Sequence, residues 1–356
     1  RSMKRNSSWQ TMQPTFFFIL TVQVCTLVTC SGECITKFPA ILIFGDSTVD
    51  AGNNNYILLL KATIAHMART FPVTFRPEGF LMANSSQTSW PLRLGSRRQC
   101  LHSCSQIYGM TNYVQVSALH PQPRYLGSYI ERLWRIVGEE EAQRIVSGAL
   151  VVVTAGTNDL IYNFYDIPTR KPFFTIEAYQ DFLQDKIQNF TKELYSLGCR
   201  TIVVSGLPPI RCLPIQMTTK SILRNCVRSQ NYDSQHYNDK LVKVLSRLQA
   251  SLPGSRILYF KIYTPLMDMI NNPGKYGFLE TGRGCCGTGL VEAGPLCTPF
   301  TSVCANRSQY LVFDSIHPGE SAYHIVTEYL KREILRNSKH NGETFKEMES
   351  GEVENR

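Results

Sequence analysis

The chain has 356 residues, of which 43% are hydrophobic and 18% charged, with a formal net charge of +9. That length makes one large domain or two small ones, with apolar content enough for a full core. The charge is spread along the chain with no basic stripe interleaved with aromatics, which excludes nucleic acid as the expected partner.

The first stretch reads as an export leader. Lys4 and Arg5 supply charge, Phe16 to Val28 is apolar with one Gln, and Ser31 and Gly32 are small residues suited to cleavage. Met12 is an alternative start. The apolar run is short of the roughly 20 residues that a spanning helix needs, and no later run is long enough either. Residues 1–32 are therefore expected to be a leader, and the mature chain to be secreted and extracellular with no transmembrane anchor.

Four runs rich in β-branched or aliphatic residues predict strands: Ala40–Gly45, Ala149–Ala155, Arg200–Ser205 and Arg256–Ile262. Helical periodicity covers Tyr129–Val146, Ile176–Leu197 and Asn231–Leu252, and a last helix spans about Glu320–Leu335. Strand and helix in alternation imply a parallel sheet covered on both faces. Residues 76–122 show no clear period and carry Trp90, Pro91, Arg97, Arg98, Cys100 and Cys104. One domain, 33–335, is expected to contain this aberrant segment. The polar run 336–356, with five Glu between Glu343 and Glu354, is expected to be a disordered tail. Twelve cysteines fit an oxidising compartment, and sequons at Asn189-Phe190-Thr191 and Asn306-Arg307-Ser308 agree with secretion and glycosylation.

In parallel sheets the chemistry gathers at the carboxyl ends of the strands. The apolar run Ala40–Phe44 feeds Gly45-Asp46-Ser47, so Ser47 ends a strand, where a nucleophile would sit. A serine hydroxyl needs a base to take its proton, and a carboxylate to fix the tautomer of an imidazole base. Asp314 and His317 are three residues apart, a spacing that places both on one turn. Pro318 and Gly319 then lead into the last helix. Donors to a developing oxyanion are available in the Asn158 side chain, the accessible backbone of Gly156 and the amide of Ser47 itself. Alone, each motif reads as structural: a turn serine, a helix-start histidine, a helix cap. Their joint occurrence after strands turns the balance toward catalysis.

Other signals carry less. Asp46 reads as a turn residue beside Ser47, and Asp159 as a structural neighbour of Asn158. His236 and His324 read as packing or surface residues, and His66, His102 and His120 receive no role. Gly282 to Gly287 fits Gly-x-Gly-x-x-Gly, but no strand directly precedes it and Gly287-Thr288-Gly289 follows where a helix should start. The Cys285–Cys304 cluster matches no usual zinc spacing. No metal site is expected.

These segments together resemble the plant-type secreted GDSL-motif esterase/lipases of the SGNH hydrolase superfamily. The resemblance rests on Gly45-Asp46-Ser47-Thr48-Val49-Asp50-Ala51-Gly52-Asn53-Asn54, on Ala155-Gly156-Thr157-Asn158-Asp159 and on Phe313-Asp314-Ser315-Ile316-His317-Pro318. Val203 to Pro209, Arg211 to Pro214 and Gly284 to Gly289 resemble further family segments. It covers about Phe38–Leu60 and Tyr129–Leu335. It implies a three-layer α/β/α flavodoxin-like fold with a mainly parallel sheet. It implies Ser47 as nucleophile, His317 as base, Asp314 as orienter and Asn158 as oxyanion donor. The family hydrolyses lipids or other small-molecule acyl esters without a cofactor, and a monomer is expected. The lack of a Gly-x-Ser-x-Gly elbow argues against the unrelated α/β-hydrolase lipases.

The chain departs from the family between Arg76 and about Gln122. The family has Pro-Thr-Gly-Arg-Phe-Ser-Asn-Gly-Lys after its first helix, and later a glycine block whose amide completes the oxyanion hole. Permissible codons for Arg76–Asn84, read one base earlier, yield that first motif, so the segment reads as frame-shifted and the glycine block as lost. A sheet strand and its loop are then expected to be missing or replaced. Two alternatives to a working esterase follow: a catalytically impaired lipid- or glycan-binding protein on the same scaffold, or a chain that does not fold. Setting aside Cys25, Cys30, Cys100 and Cys104 leaves eight cysteines. A Cys212–Cys226 loop and a cluster among Cys285–Cys304 are expected, with Cys199 a buried free thiol, while full connectivity stays open.

Overall fold

The computed structural model describes residues 38–46, 73–75, 81–83, 107–111, 122–167, 169–226, 228–293, 296–298 and 300–351. In chain order the strands are β1 (Ile41–Gly45), β2 (Val73–Phe75), β3 (Leu81–Ala83) and β4 (Ile107–Thr111). Helices α1 (Gln122–Val137) and α2 (Glu139–Gly148) follow, then β5 (Leu150–Thr154) and a π-helix, Asp159–Asp166. Next come α3 (Ile176–Ser196), β6 (Thr201–Ser205), α4 (Pro214–Lys220), α5 (Arg228–Ser251) and β7 (Arg256–Phe260). The last elements are α6 (Tyr263–Asn271), β8 (Glu280–Gly284), β9 (Tyr310–Val312) and α7 (Glu320–Gly351).

Five strands form the central sheet in the order β4-β1-β5-β6-β7, and every pairing is parallel. Successive side chains alternate between its faces. Leu42, Phe44, Val151, Val153, Ile202 and Val204 enter one core with Leu126 of α1, Leu183 of α3 and Leu241 of α5. Ile41, Ile43, Leu150, Val152 and Val203 enter the other with Leu266 of α6 and Val326 of α7. Burial on both faces explains why these strands read as continuous apolar runs. The result is three layers, α/β/α. From β1 the chain goes outward to β4, then returns past β1 to β5, so strand order reverses between β1 and β5. Ligands of open parallel sheets sit at such a switch point.

All four expected strands are present, each within two residues of its expected bounds. Three expectations need correction. Tyr129–Val146 is not one helix: α1 starts earlier, at Gln122, and Gly138 separates it from α2. Gly138 has φ 87 and ψ 162, a non-helical, positive-φ conformation that glycine adopts without steric cost. A sheet strand in the aperiodic segment 76–122 is expected to be missing or replaced, yet β3 and β4 lie there, and β4 pairs with β1 from Ile41↔Ile107 to Gly45↔Thr111. The edge of the sheet is therefore occupied. Period alone misses it because Ile107-Tyr108-Gly109-Met110-Thr111 has no apolar–polar alternation. The last helix runs to Gly351 rather than ending near Leu335, through part of the expected disordered tail.

Disulfides join Cys212–Cys226, Cys285–Cys304 and Cys286–Cys297. Cys199 is free and buried, and burial pushes its thiol up to about 12. Cys34 and the expected leader, 1–32, lie outside the described residues. No helix among the described residues is long and apolar enough to cross a membrane.

Candidate active site

The Asp314–His317 turn follows β9. Asp314 is fully buried and His317 is 4% exposed. The backbone amides of Ile316 and His317 donate to Asp314 Oδ1 at 2.8 and 2.7 Å. That leaves Oδ2 for the imidazole, and it lies 2.7 Å from His317 Nδ1. A carboxylate there accepts from Nδ1–H, which fixes the tautomer and leaves Nε2 as the basic nitrogen. Two backbone donors and one ring donor lock the carboxylate, so the ring orientation is set by the turn itself.

The other half of the site forms where β1 and β5 end side by side. Gly45 is required there, because a Cβ on it would lie 2.1 Å from the Thr154 carbonyl oxygen. Gln122 Nε2 donates to the Gly45 carbonyl at 3.2 Å. Asp46 follows and is buried. Ser47 lies outside the described residues. After β5, Gly156 turns the chain at φ 108, and Leu160 N donates back to its carbonyl at 3.2 Å. Asn158 starts the π-helix, yet its side chain makes no capping hydrogen bond and is only partly buried. The cap role that a lone Asn suggests is thus absent, and π-turns recur at functional sites. Asp159 is buried inside, where its charge helps burial to raise the phenols of Tyr179 and Tyr237.

Two observations bring the halves together. Burial and the charges of Asp46 and Asp314 push the Tyr323 phenol upward, so both carboxylates act on one side chain. Asp46, Thr157, Ile316 and Pro318 also line a single cavity. Each is a chain neighbour of an expected site residue: Ser47, Asn158 or His317. Among the described residues no group of three His, Cys, Asp or Glu could hold a metal ion. Gly282 to Gly287 falls on β8 and the disulfide loop, not on a helix start.

The sequence model of a family described as GDSL-like Lipase/Acylhydrolase matches residues 41–330. The chain belongs to this family. A GDSL esterase/lipase of Arabidopsis thaliana is 44% identical over 342 residues, covering 89% of this chain and 95% of that protein. A second from Arabidopsis thaliana is 42% identical over 354 residues, covering 90% and 97%. An acetylxylan esterase from Geobacillus stearothermophilus aligns at 13% identity and a TM-score of 0.44, covering 83% and 94%. Membership of this family makes the protein a carboxylic ester hydrolase.

This GDSL hydrolase braces its Asp–His turn from the disulfide loop, a feature sequence reading missed. Cys286 N donates to Phe313 O and Ser315 N to Glu292 O, both at 2.8 Å. Ile215 N donates to Ser315 O at 3.2 Å. The Glu292 carboxylate in turn accepts from Thr288 N and Thr288 Oγ1 at 2.8 Å and from Leu290 N at 3.1 Å. Burial raises its pKa, but the Thr288 hydroxyl and the backbone amides of Thr288, Val291 and Glu292 itself outweigh burial and hold the group at about 2. The only signal in the sequence was a glutamate following a Gly-Thr-Gly turn.

Proposed function

We propose that the protein is a secreted serine hydrolase that cleaves acyl esters of lipids or other molecules with Ser47, His317 and Asp314. The observation that carries this is the buried Asp314–His317 pair at 2.7 Å, whose turn residues Ile316 and Pro318 line one cavity with Asp46 at the end of β1. His317 Nε2 takes the Ser47 hydroxyl proton as Oγ bonds to the ester carbonyl carbon. The carbonyl oxygen becomes an oxyanion, met by the Asn158 side-chain amide and the backbone amides of Gly156 and Ser47. Collapse breaks the ester bond, and the imidazolium returns its proton to the leaving alcohol. Water then repeats the sequence on the acyl-enzyme and releases the acid. Asp314 holds the ring and stabilises the imidazolium without itself taking the proton. Secretion is supported by the leader-like start of the chain, by three disulfides, and by sequon residues Asn189 and Asn306, neither of them buried.

Purified protein is expected to hydrolyse p-nitrophenyl esters. Ser47→Ala should abolish this, and Asp314→Asn should lower kcat by roughly 10³–10⁴ through loss of the required tautomer. Folded wild-type protein no more active than Ser47→Ala would overturn the proposal. Full activity in Ser47→Ala would reassign the nucleophile.

A further inference from the structure

We infer that the cavity between the sheet and helices α6 and α7 is the acyl pocket of this esterase, and that it takes a linear acyl chain of about six to eight carbons. The inference rests on the esterase reading and names its substrate class. The cavity has a volume of about 160 Å³. One end lies at the candidate machinery, lined by Asp46, Thr157, Ile316 and Pro318. Its body is apolar, with Ile43, Val152 and Phe260 from the sheet and Leu266 and Ile270 from α6. The hydroxyl of Ser205, also in the lining, is already spent as a donor to the Gly206 carbonyl at 3.1 Å. Water gains little in such a space, whereas a hydrocarbon chain fills it.

Length and volume agree on the size of the guest. Tyr323, Val326, Thr327 and Leu330 of α7 all face the cavity, and their spacing puts them on one stripe of the helix. From Tyr323 to Leu330 that stripe runs about 10 Å. A tetrahedral zigzag chain advances roughly 1.2 Å per bond, as the extended backbone does, so about eight bonds fit. By volume, a cavity of about 150 Å³ accommodates benzene, a guest of six carbons. A sixteen-carbon chain would need roughly 18 Å and would overrun the pocket. The alcohol moiety of the ester stays outside, beyond the Asp–His turn.

The test is kcat/KM across p-nitrophenyl acetate, hexanoate, octanoate and palmitate. Each buried methylene is worth about tenfold or more in a fitted pocket, so hexanoate or octanoate should exceed both acetate and palmitate at least tenfold. Val326→Phe, which adds bulk midway along the stripe, should cut the hexanoate-to-acetate ratio at least tenfold. Leu330→Ala, at the far end, should move the optimum to a longer chain. If Val326→Phe gives no cooperative melt, Leu330→Ala decides. A flat profile, a preference for palmitate, or variants that scale all lengths alike would overturn the inference while acetate turnover leaves the esterase reading standing. A second arm needs no turnover: sodium octanoate should raise the melting temperature of Ser47→Ala, and adding Val326→Phe or Leu330→Ala should change that rise. If no ester is cleaved, the esterase reading fails. Octanoate stabilisation altered by these substitutions then still supports the cavity as an acyl site, and its absence overturns it.

Discussion

Gly284, the last residue of β8, is a position where the smallest added group should harm catalysis. A Cβ built there would stand 2.5 Å from the Asp314 carbonyl oxygen, 2.6 Å from its carbonyl carbon and 2.9 Å from its Cα. Ordinary contact starts near 3.4 Å, so Gly284→Ala must push the β8 backbone and the Asp314 backbone apart by close to 1 Å. β8 cannot move away freely, since Gly284 N donates to Gly289 O at 2.8 Å and Cys285 is bound to Cys304. The displacement therefore falls on Asp314 and, through its carboxylate, on the His317 ring. A misplacement of about 1 Å costs on the order of 10²-fold in rate. Overpacking of this kind costs about 1–3 kcal/mol of stability. Steady-state kinetics on p-nitrophenyl hexanoate should show kcat down by roughly 10²-fold with KM little changed, beside a melting temperature a few degrees lower. A variant within threefold of wild type in kcat would refute the reasoning.

Two further outcomes are expected. Glu292 has its folded pKa lowered to about 2 from 4.5, so its contribution is full above about pH 4.5 and fades as pH falls toward 2. Glu292→Gln should melt lower than wild type at pH 7, with the gap closing across that window; parallel melting curves from pH 7 to 2 would refute the brace. The transcript across residues 60–130 should restore Pro-Thr-Gly-Arg-Phe-Ser-Asn-Gly-Lys and a glycine block. A transcript encoding Arg76–Gln122 as written would refute the frame shift, and the protein would then lack a donor worth on the order of 10²–10³ in rate.

The sheet was legible because its inner strands are buried on both faces, which forces uninterrupted aliphatic runs such as Leu150-Val151-Val152-Val153. The edge strand Ile107–Thr111 was not, since Gly109 interrupts its run, and a glycine inside a strand weakens the strand pattern. The break at Gly138 was hidden because helical periodicity continues on both sides of a single positive-φ residue. Asp314 and His317 were legible because a three-residue spacing is a local property that one turn can satisfy. The brace by Glu292 and the fit of Gly284 against Asp314 were not, because both are contacts between segments distant in sequence. The place of Asn158 directly after β5 was legible, whereas its lack of a capping hydrogen bond is visible only in the structure.

The order of elements has a consequence for how function appears as the chain is made. Asp46 hangs from the first strand, whereas Asp314 and His317 arrive only after the last one, with the whole α/β/α body between them. Chains synthesised from the N-terminus fold their early segments first. A ribosome-bound chain lacking β9 can thus bury most of the inner sheet and still lack the Asp–His turn. Turnover of an ester is accordingly a late event in the life of each molecule, and a sharper reporter of complete assembly than helix content or compactness.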